Sequence, residues 1–243
     1  MSRIAIPIAS SEFDAVAGDY EGALQQGLRV SGESAEYFAT SRIQWLQQRL
    51  EKLGISVAGH TAIDFGCGTG NSIPHLQRFL EVKHIVGLDP SRESLRMASA
   101  RFSDPNVEFH APTDYHVCRD AGLAFCNGVF HHIEPADRHN ALVQIRTYMK
   151  PGAVFAYWEN NPWNPGTRYI MKRIPFDKDA IPISIPESHR LLRNAGFQIL
   201  STDSCFYFPR MLHWLRWMEP WLCKIPLGAQ YLVIAQNPPP AMA

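Results

Sequence analysis

Short apolar runs recur through the middle of the chain, and each is bounded by glycine, proline or a polar residue. Runs of this kind are typical of strands that helices cover on both faces, because such strands have no polar side. Five runs are predicted as strands: Thr61–Gly66, His84–Asp89, Val107–Ala111, Leu123–Asn127 and Ala153–Glu159.

Longer stretches between these runs carry apolar residues at helical spacing. Ser91 suits an N-cap, Pro135 suits a first helical turn, and Gly196 is a typical helix stop. The alternation of strands and helices predicts an α/β fold with a parallel sheet. The predicted helices are Asn71–Leu80, Ser91–Phe102, Ala136–Met149, Glu187–Asn194 and an upstream helix with Ile43, Trp45, Leu46, Leu50 and Leu53 on its apolar face.

The last third of the chain departs from this alternation. Asn160–Ser184 is rich in proline and is expected to be an irregular insertion at the carboxyl ends of the strands. Phe197–Thr202 and Gln230–Ala235 are strand candidates that can pair as an antiparallel edge. They flank a stretch rich in tryptophan and proline, Phe208–Leu227.

The composition fits one hydrophobic core. The chain has 243 residues, 46% of them hydrophobic, and a formal net charge of +0 with a pI near 7.1. Because nucleic-acid-binding surfaces are rich in lysine and arginine, this balance argues against a nucleic-acid partner. No apolar run reaches the roughly 18–20 residues that span a bilayer, and the N-terminus does not resemble a signal peptide. We therefore expect a cytoplasmic protein without a transmembrane segment.

The cysteines are odd in number and scattered, without the spacing of metal ligands. This pattern favours reduced thiols, and no metal site is predicted from it. The five residues are Cys67, Cys118, Cys126, Cys205 and Cys223.

A glycine-rich stretch closes the first predicted strand, in the order Asp64-Phe-Gly66-Cys67-Gly68-Thr-Gly70. Alternating glycines permit positive φ angles and let a ligand approach the backbone, while the following helix presents free amide groups. The G-x-G-x-G spacing differs from the G-x-G-x-x-G of dinucleotide-binding proteins. It suits a sulfonium cofactor with a free amino-acid end, beside the carboxylate of Asp64.

Asp89 ends the second predicted strand, in the sequence GLDPS. A carboxylate at this position of a βαβ unit can accept hydrogen bonds from both hydroxyls of a ribose. The glycine stretch and Asp89 together therefore predict a nucleoside site.

Three motifs, DFGCGTGNS, GLDPS and FCNGVFHHI, resemble the S-adenosylmethionine-binding set of class I methyltransferases in order and spacing across residues 60–160. The resemblance implies an α/β fold with a seven-stranded, mostly parallel, doubly wound sheet, helices on both faces and an antiparallel last strand. It also implies S-adenosylmethionine as the cofactor and S-adenosylhomocysteine as the product. A single domain over residues 1–243 is expected, with an N-terminal helical cap (1–55), a cofactor-binding core (60–160) and insertions that shape an acceptor pocket (160–184 and 208–228).

The resemblance assigns the cofactor contacts residue by residue. The methionine end of the cofactor is expected to lie in a pocket formed by Gly66, Gly68 and Gly70, with Asp64 near its amino group and Asn127 in the same pocket. Asp89 is expected to hold the ribose. The adenine amino group is expected to meet Asp114, or Thr113 because the register is off by one, and the remaining cofactor-binding candidates are Cys67 and Pro90.

Two histidines follow the fourth predicted strand, in NGVFHHI, where a side chain would reach the transferable methyl group. A histidine suits a general base at neutral pH. His131 is preferred over His132 because it comes sooner after the strand. A structural or helix-capping role for the pair is the alternative.

Candidate acceptor-binding residues lie further along the chain. Glu159 and Asn160 end the fifth strand, although an Asx turn before Pro162 explains the same residues. Arg168, with Lys172 and Arg173, suits an anionic group on the acceptor; a solvated face balanced by Asp177 and Asp179 is the alternative. Trp214 and Trp217 suit a lid over a hydrophobic acceptor, against a buried cap, a dimer contact or a membrane-interface segment. Tyr20 and Tyr37 precede the first strand and are candidates for a segment folded over the cofactor.

These observations predict methyl transfer from S-adenosylmethionine to a small-molecule or lipid-like acceptor, with oxygen as the target atom. The lean to oxygen rests on the candidate histidine base. The alternatives are a catalytically silent cofactor-binding subunit and a nicotinamide-dependent oxidoreductase or epimerase. We expect a monomer or homodimer, with peripheral membrane contact left open.

Overall fold

A computed structural model describes residues 22, 27, 31–115, 119–174, 177, 178 and 180–239. Its centre is one mixed sheet. The strands are β1 (Thr61–Phe65), β2 (His84–Leu88), β3 (Val107–His110), β4 (Ala121–Asn127), β5 (Met149–Asn160), β6 (Gln198–Cys205) and β7 (Gln230–Gln236).

Helices fill most of the connections between the strands. The α-helices are α1 (Ala35–Lys52), α2 (Ile73–Leu80), α3 (Arg92–Arg101), α4 (Arg138–Tyr148), α5 (Pro165–Met171), α6 (Ile185–Asn194) and α7 (Glu219–Leu222), and 3₁₀ turns cover Phe130–His132 and Arg210–Met218.

The strand order is β3-β2-β1-β4-β5-β7-β6. β1 to β5 pair in parallel, whereas β7 runs antiparallel to both β5 and β6. The predicted seven-stranded, mostly parallel sheet with an antiparallel last strand is therefore confirmed, as is the antiparallel pairing of the two C-terminal strands.

The hydrophobic core lies on both faces of the sheet, because successive strand residues point to opposite sides. Ile63 and Phe65 of β1 pack in the layer beneath α4 and α6, and Ala62 packs in the opposite layer beneath α1 and α2. Burial on two faces explains why the strands read as continuous apolar runs.

Local capping signals set several helix boundaries. The hydroxyl of Ser91 accepts a hydrogen bond from the Ser94 amide at 3.1 Å and begins α3, as the sequence predicts. Ser34 caps α1 in the same way, accepting from the Tyr37 amide at 3.1 Å. In α1, Ile43, Leu46 and Leu50 are buried as predicted, while Leu53 lies beyond the helix and is exposed.

The C-terminal third differs in two details from what the sequence suggests. Residues 160–184 are not irregular throughout, since they contain helix α5. Asn164 caps this helix by accepting a hydrogen bond from the Thr167 amide at 2.9 Å. The segment Arg210–Met218 forms 3₁₀ turns with non-helical angles at Leu212, and none of its residues is buried. Its tryptophans therefore do not form a buried cap over the sheet.

The described residues include no helix that is both long enough and apolar enough to cross a membrane.

Candidate active site

The candidate site lies where the sheet changes direction. From β1 the chain passes to β2 on one side, while β4 pairs with β1 on the other, so a crevice opens at the carboxyl ends of β1 and β4. A cavity of about 540 Å³ occupies this crevice. Its walls come from the loop after β1, the turn after β4, the end of β5, the first turns of α1, and α5 with the residues after it.

The glycine loop after β1 needs glycine for two different physical reasons. Gly66, Gly68 and Gly70 have positive φ angles of 76°, 52° and 82°. A Cβ on Gly66 would lie 2.2 Å from Cγ2 of Val129, whereas a Cβ on Gly68 would meet nothing within 4 Å. Gly66 and Gly68 line the cavity; Gly70 is buried behind it against the Phe102 ring. The loop backbone is thus open to a ligand at Gly68.

Asp89 holds the glycine loop from the end of β2. One carboxylate oxygen accepts a hydrogen bond from the Gly68 amide at 2.8 Å, and the other accepts from the Ser91 amide at 2.9 Å. Pro90 between them is partly buried. The contact between Asp89 and the ribose stays a prediction. In the free protein, Asp89 holds the glycine loop in place through its two hydrogen bonds.

Three buried acceptor atoms around the cavity have no hydrogen-bond partner within the described part of the chain: Oδ2 of Asp64, Oγ1 of Thr69 and Oδ1 of Asn127. Burial, and then the nearby charge of Asp89, raise the pKa of Asp64 to about 8. Leaving such groups unpaired is costly, so a donor that enters the cavity would be stabilised. Two acceptor oxygens beside an open glycine backbone fit the amino-acid end of S-adenosylmethionine.

The remaining predicted cofactor residues occupy different surroundings. Cys67 is buried at the cavity wall, where burial raises the pKa of its thiol. Thr113 and Asp114 are exposed and hydrogen-bonded to each other at 3.0 Å, with Arg92 paired to Asp114. They do not line the cavity, so their adenine contact stays a prediction.

His131, His132 and Asp177 also line the cavity, where they lie close together. His131 Nδ1 donates to Oε2 of Glu159 at 2.6 Å, and its Nε2 is 3.5 Å from Oδ1 of Asp177. His132 Nε2 is 3.3 Å from the same Asp177 oxygen. The two histidine rings pack with their centroids 4.1 Å apart.

The two histidines have opposite electrostatic surroundings. Burial alone would lower the pKa of His131, but Glu159 and Asp177 outweigh burial and raise it to about 10. For His132, burial and the neighbouring His131 charge outweigh the attraction of Asp177, so its pKa is lowered. Burial would raise the pKa of Asp177, yet its bonds and charge interactions with the histidines lower it to about 2. His131 thus holds its proton at neutral pH, which removes the reason for preferring it as the base.

Several predicted acceptor-binding residues do not line the cavity, so their contacts with an acceptor stay predictions. Glu159 is buried behind the wall, where it accepts hydrogen bonds from His131 and from the Phe130 amide at 2.8 Å. Arg168 is exposed, and Trp214 and Trp217 are each 63% exposed on the outer surface. Asn160 does line the cavity, and its Oδ1 accepts from the Gln230 side chain at 2.9 Å.

Tyr20 lies outside the described residues, as does Asp179. Tyr37 does not line the cavity; it stacks with Arg216, whose guanidinium carbon lies 4.7 Å from the ring centroid.

The sequence interpretation missed Asp177 as a site residue. From the sequence, Asp177 was expected on a solvated face where it balances nearby cations. It is instead 7% exposed and forms ion pairs with the two histidines. It also missed the first turns of α1, where Ser34, Glu36 and Phe38 form part of the cavity wall. Neither placement has a local sequence signal, because both depend on how distant segments meet.

Comparison with known proteins identifies the domain that carries this cavity. Residues 63–155, from β1 to β5, match the family model described as a methyltransferase domain. The match identifies a methyltransferase domain within the chain. It agrees with the S-adenosylmethionine cofactor that the motifs predict, and it favours methyl transfer over the nicotinamide-dependent alternative.

The methyltransferase domain also has a curated relative. The trans-aconitate 2-methyltransferase of Azoarcus sp. (strain BH72) is 29% identical over 141 residues, which cover 57% of this chain and 53% of the relative. The match thus spans about half the length of that relative.

Solved structures share the fold of this chain. A chain of the complex that contains the Haloferax volcanii Trm112 methyltransferase activator has a TM-score of 0.66 and 19% identity, covering 93% of this chain and 98% of that one. A SAM-dependent methyltransferase of Thermotoga maritima has a TM-score of 0.62 and 16% identity, covering 93% and 97%. At these identities the likeness concerns the fold.

Proposed function

We propose that this chain transfers the methyl group of S-adenosylmethionine to an oxygen atom of a small-molecule acceptor. The observation that carries the proposal is that two chemically different groups of residues line a single cavity. One group, called here the cofactor end, is the glycine loop with Asp64 and Asn127, and the other, called the acceptor end, is His131, His132 and Asp177. Bound S-adenosylmethionine supplies an electrophilic methyl group, and an in-line transfer needs an acceptor held beside it.

The cofactor end offers acceptors for a charged amino group. The unpartnered oxygens of Asp64 and Asn127 are the protein's own groups for this purpose, and the open backbone at Gly68 leaves room for the ligand. A charge-assisted hydrogen bond to the Asp64 carboxylate would offset the cost of burying it.

The acceptor end combines polar and apolar walls. Asn160 and His132 provide polar groups, while Ile170, Met171 and Ile174 provide an apolar surface. This mixture suits a small or lipid-like organic acceptor with one polar group at the reaction centre. The Azoarcus relative is named for a small molecule, trans-aconitate, which also favours a small acceptor over a macromolecule.

Of the two histidines expected as the general base, we favour His132. Both ring nitrogens of His131 face carboxylates, those of Glu159 and Asp177, so this ring is occupied in holding the site together. His132 lines the cavity with its Nε2 directed at Asp177. A residue so placed can take a proton from an acceptor hydroxyl as the oxygen attacks the methyl group.

The first experiment is calorimetric titration with S-adenosylmethionine and S-adenosylhomocysteine, with NADH as the control, followed by acceptor screening for S-adenosylhomocysteine release. We expect binding of the first two ligands and turnover with hydroxyl- or carboxyl-bearing compounds. His132→Ala should lower kcat by about 10²–10⁴-fold with the affinity for S-adenosylmethionine unchanged.

His139→Ala, at an exposed position of α4, is the matched control and should keep the parent rate. A full rate in His132→Ala would contradict the role of this histidine. Absence of S-adenosylmethionine binding would contradict the proposal as a whole.

A cofactor-binding subunit that serves a partner is the second candidate. The observation that favours it is the outward-facing aromatic surface of Trp214, Trp217 and Trp221, with the rings of the last two 5.2 Å apart. Exposed apolar patches often mark protein interfaces. Turnover by the purified chain alone would exclude this candidate.

A further inference from the structure

Three side chains with metal-ligating atoms converge at the acceptor end of the cavity. His131 and His132 follow β4, and Asp177 follows α5, so the cluster forms only when these segments meet. One ring nitrogen from each histidine and one Asp177 oxygen all lie within 4.8 Å of one another. The three residues are largely buried, yet all of them line the cavity.

Two distances within the cluster are close to the spacing of ligand atoms around a shared cation. Oδ1 of Asp177 lies 3.5 Å from Nε2 of His131 and 3.3 Å from Nε2 of His132. Protein N–H···O bonds usually measure about 2.7–3.2 Å. Ligand bonds of about 2.0–2.1 Å in a tetrahedral zinc site place neighbouring ligand atoms about 3.3–3.4 Å apart.

We propose that His131, His132 and Asp177 form a binding site for a divalent transition-metal cation, with zinc as the first choice. Two imidazoles and one carboxylate are a donor set that such cations favour. The cysteine pattern of the sequence predicts no metal site. The ligands of this cluster are histidines and an aspartate from separate segments of the chain.

Glu159 supports this assignment from behind the cavity wall. Its Oε2 accepts the Nδ1–H of His131 at 2.6 Å, which leaves Nε2 of His131 facing Asp177. A cation would bind this Nε2 by displacing its proton. Its other oxygen is fixed by the Phe130 amide at 2.8 Å. Histidine ligands in metal sites commonly donate their second ring nitrogen to a carboxylate, which fixes the tautomer and the ring orientation.

Three protein ligands leave a coordination position open toward the cavity. An oxygen atom of the acceptor would fill it, so the cation would orient and polarise that oxygen beside the methyl donor. This inference rests on the proposed function and changes one part of it. His132 then acts as a ligand, and the cation activates the acceptor oxygen in place of a histidine base.

The test measures metal binding independently of activity. The full chain is stripped with a chelator, titrated with zinc chloride by calorimetry, and analysed for metal content after gel filtration. We expect one zinc per chain, a rise in melting temperature with zinc, and visible absorption typical of tetrahedral cobalt when cobalt replaces zinc. His132→Ala and Asp177→Ala should each weaken zinc binding at least tenfold, and Glu159→Gln about 10–100-fold.

The control variant is His139→Ala, which should bind zinc like the parent. S-adenosylhomocysteine affinity, measured on the same samples, reports whether each variant is folded. Absence of zinc binding by the parent, or parent-like binding by both Ala variants, would overturn the proposal. If S-adenosylmethionine binds and methyl transfer proceeds at the full rate in chelated protein, the role of the cation in activating the acceptor is wrong while the proposed function stands.

Discussion

The carboxyl group of Asp64 is buried at the end of β1, 2% exposed, and one of its oxygens has no donor among the described residues. Burial and the charge of Asp89 make its ionised form costly in the free protein. A cationic amino group in the cavity would reverse that preference by pairing with the carboxylate. At the scale of single residues, cofactor binding is therefore linked to the ionisation of Asp64.

This linkage predicts pH-dependent affinity. The pKa of Asp64 is raised to about 8, so the carboxylate forms as the pH rises toward that value, and S-adenosylmethionine should bind more tightly at pH 7.5 than at pH 6. Titrations within this window keep the amino group of the cofactor largely protonated. Asp64→Asn should lose about tenfold or more in affinity and show a flat profile, and a flat profile in the parent would contradict the assignment.

The ionisation of Asp64 affects the stability of the cofactor-free protein in the opposite direction, because stability falls as the pH rises. A carboxyl group with a raised pKa contributes stability that is fully present below its unfolded value of about 4 and is lost as the pH passes about 8. Asp64→Asn should therefore unfold at higher urea concentration than the parent above pH 8, in the absence of cofactor.

At the scale of elements, the loop from β1 to α2 shows why one motif contains glycines of different kinds. Gly66 is closed in by Val129, which belongs to the turn after β4, while Gly68 faces open space at the cavity. The first glycine therefore serves the packing between two loops, and the second serves access to the backbone. Both positions are glycines of the same motif, so the spacing of the motif does not distinguish the role of Gly66 from that of Gly68.

Two alanine substitutions separate these roles. Gly66→Ala should lower the free energy of unfolding by about 2–4 kcal/mol, because left-handed strain adds to overlap with Val129. Gly68→Ala should lose only about 1–2 kcal/mol from its φ of 52°. It should nevertheless weaken S-adenosylmethionine binding about tenfold, because its methyl group projects into the ligand's space. Equal destabilisation of the two variants in urea would refute this distinction.

At the scale of the whole molecule, Asp203 joins parts of the chain that are far apart in sequence. This carboxylate of β6 is 1% exposed and accepts a hydrogen bond from Trp45 of α1 at 3.0 Å. It forms ion pairs with Arg49 of α1 and with Lys224, which follows α7 and lies 2.6 Å away. Because α1 supplies part of the cavity wall, this cluster also supports the site from a distance.

Breaking the cluster should destabilise the entire fold. Asp203→Ala leaves the Arg49 guanidinium and the Trp45 N–H without their buried acceptor, and we expect a loss on the order of 3 kcal/mol in urea unfolding. Lys224→Met removes a side chain that is 62% exposed and should cost less than about 1 kcal/mol. Similar losses for both variants would show that the buried position of Asp203 carries no special weight.

The element pattern was readable from sequence where local physics dominates. Ser91 begins α3 because a serine hydroxyl satisfies a free helix amide, and the apolar runs form β1 to β5 because both faces of the sheet are covered. Prediction failed in residues 160–184, where the capping of α5 by Asn164 was hidden among prolines. Trp214 and Trp217 are exposed, and periodicity shows that a face is apolar but not what covers it.

The strand–helix alternation, the glycine loop, Asp89 and hence the class of cofactor can be predicted from the sequence, because these features depend on short-range spacing and backbone geometry. Which polar groups come together at the acceptor end depends instead on tertiary packing. Asp177 meets the histidines, and Glu159 turns away behind His131, because α5 and the segment after it pack over the ends of β4 and β5. Such meetings arise from the packing of distant segments, and no local pattern records them.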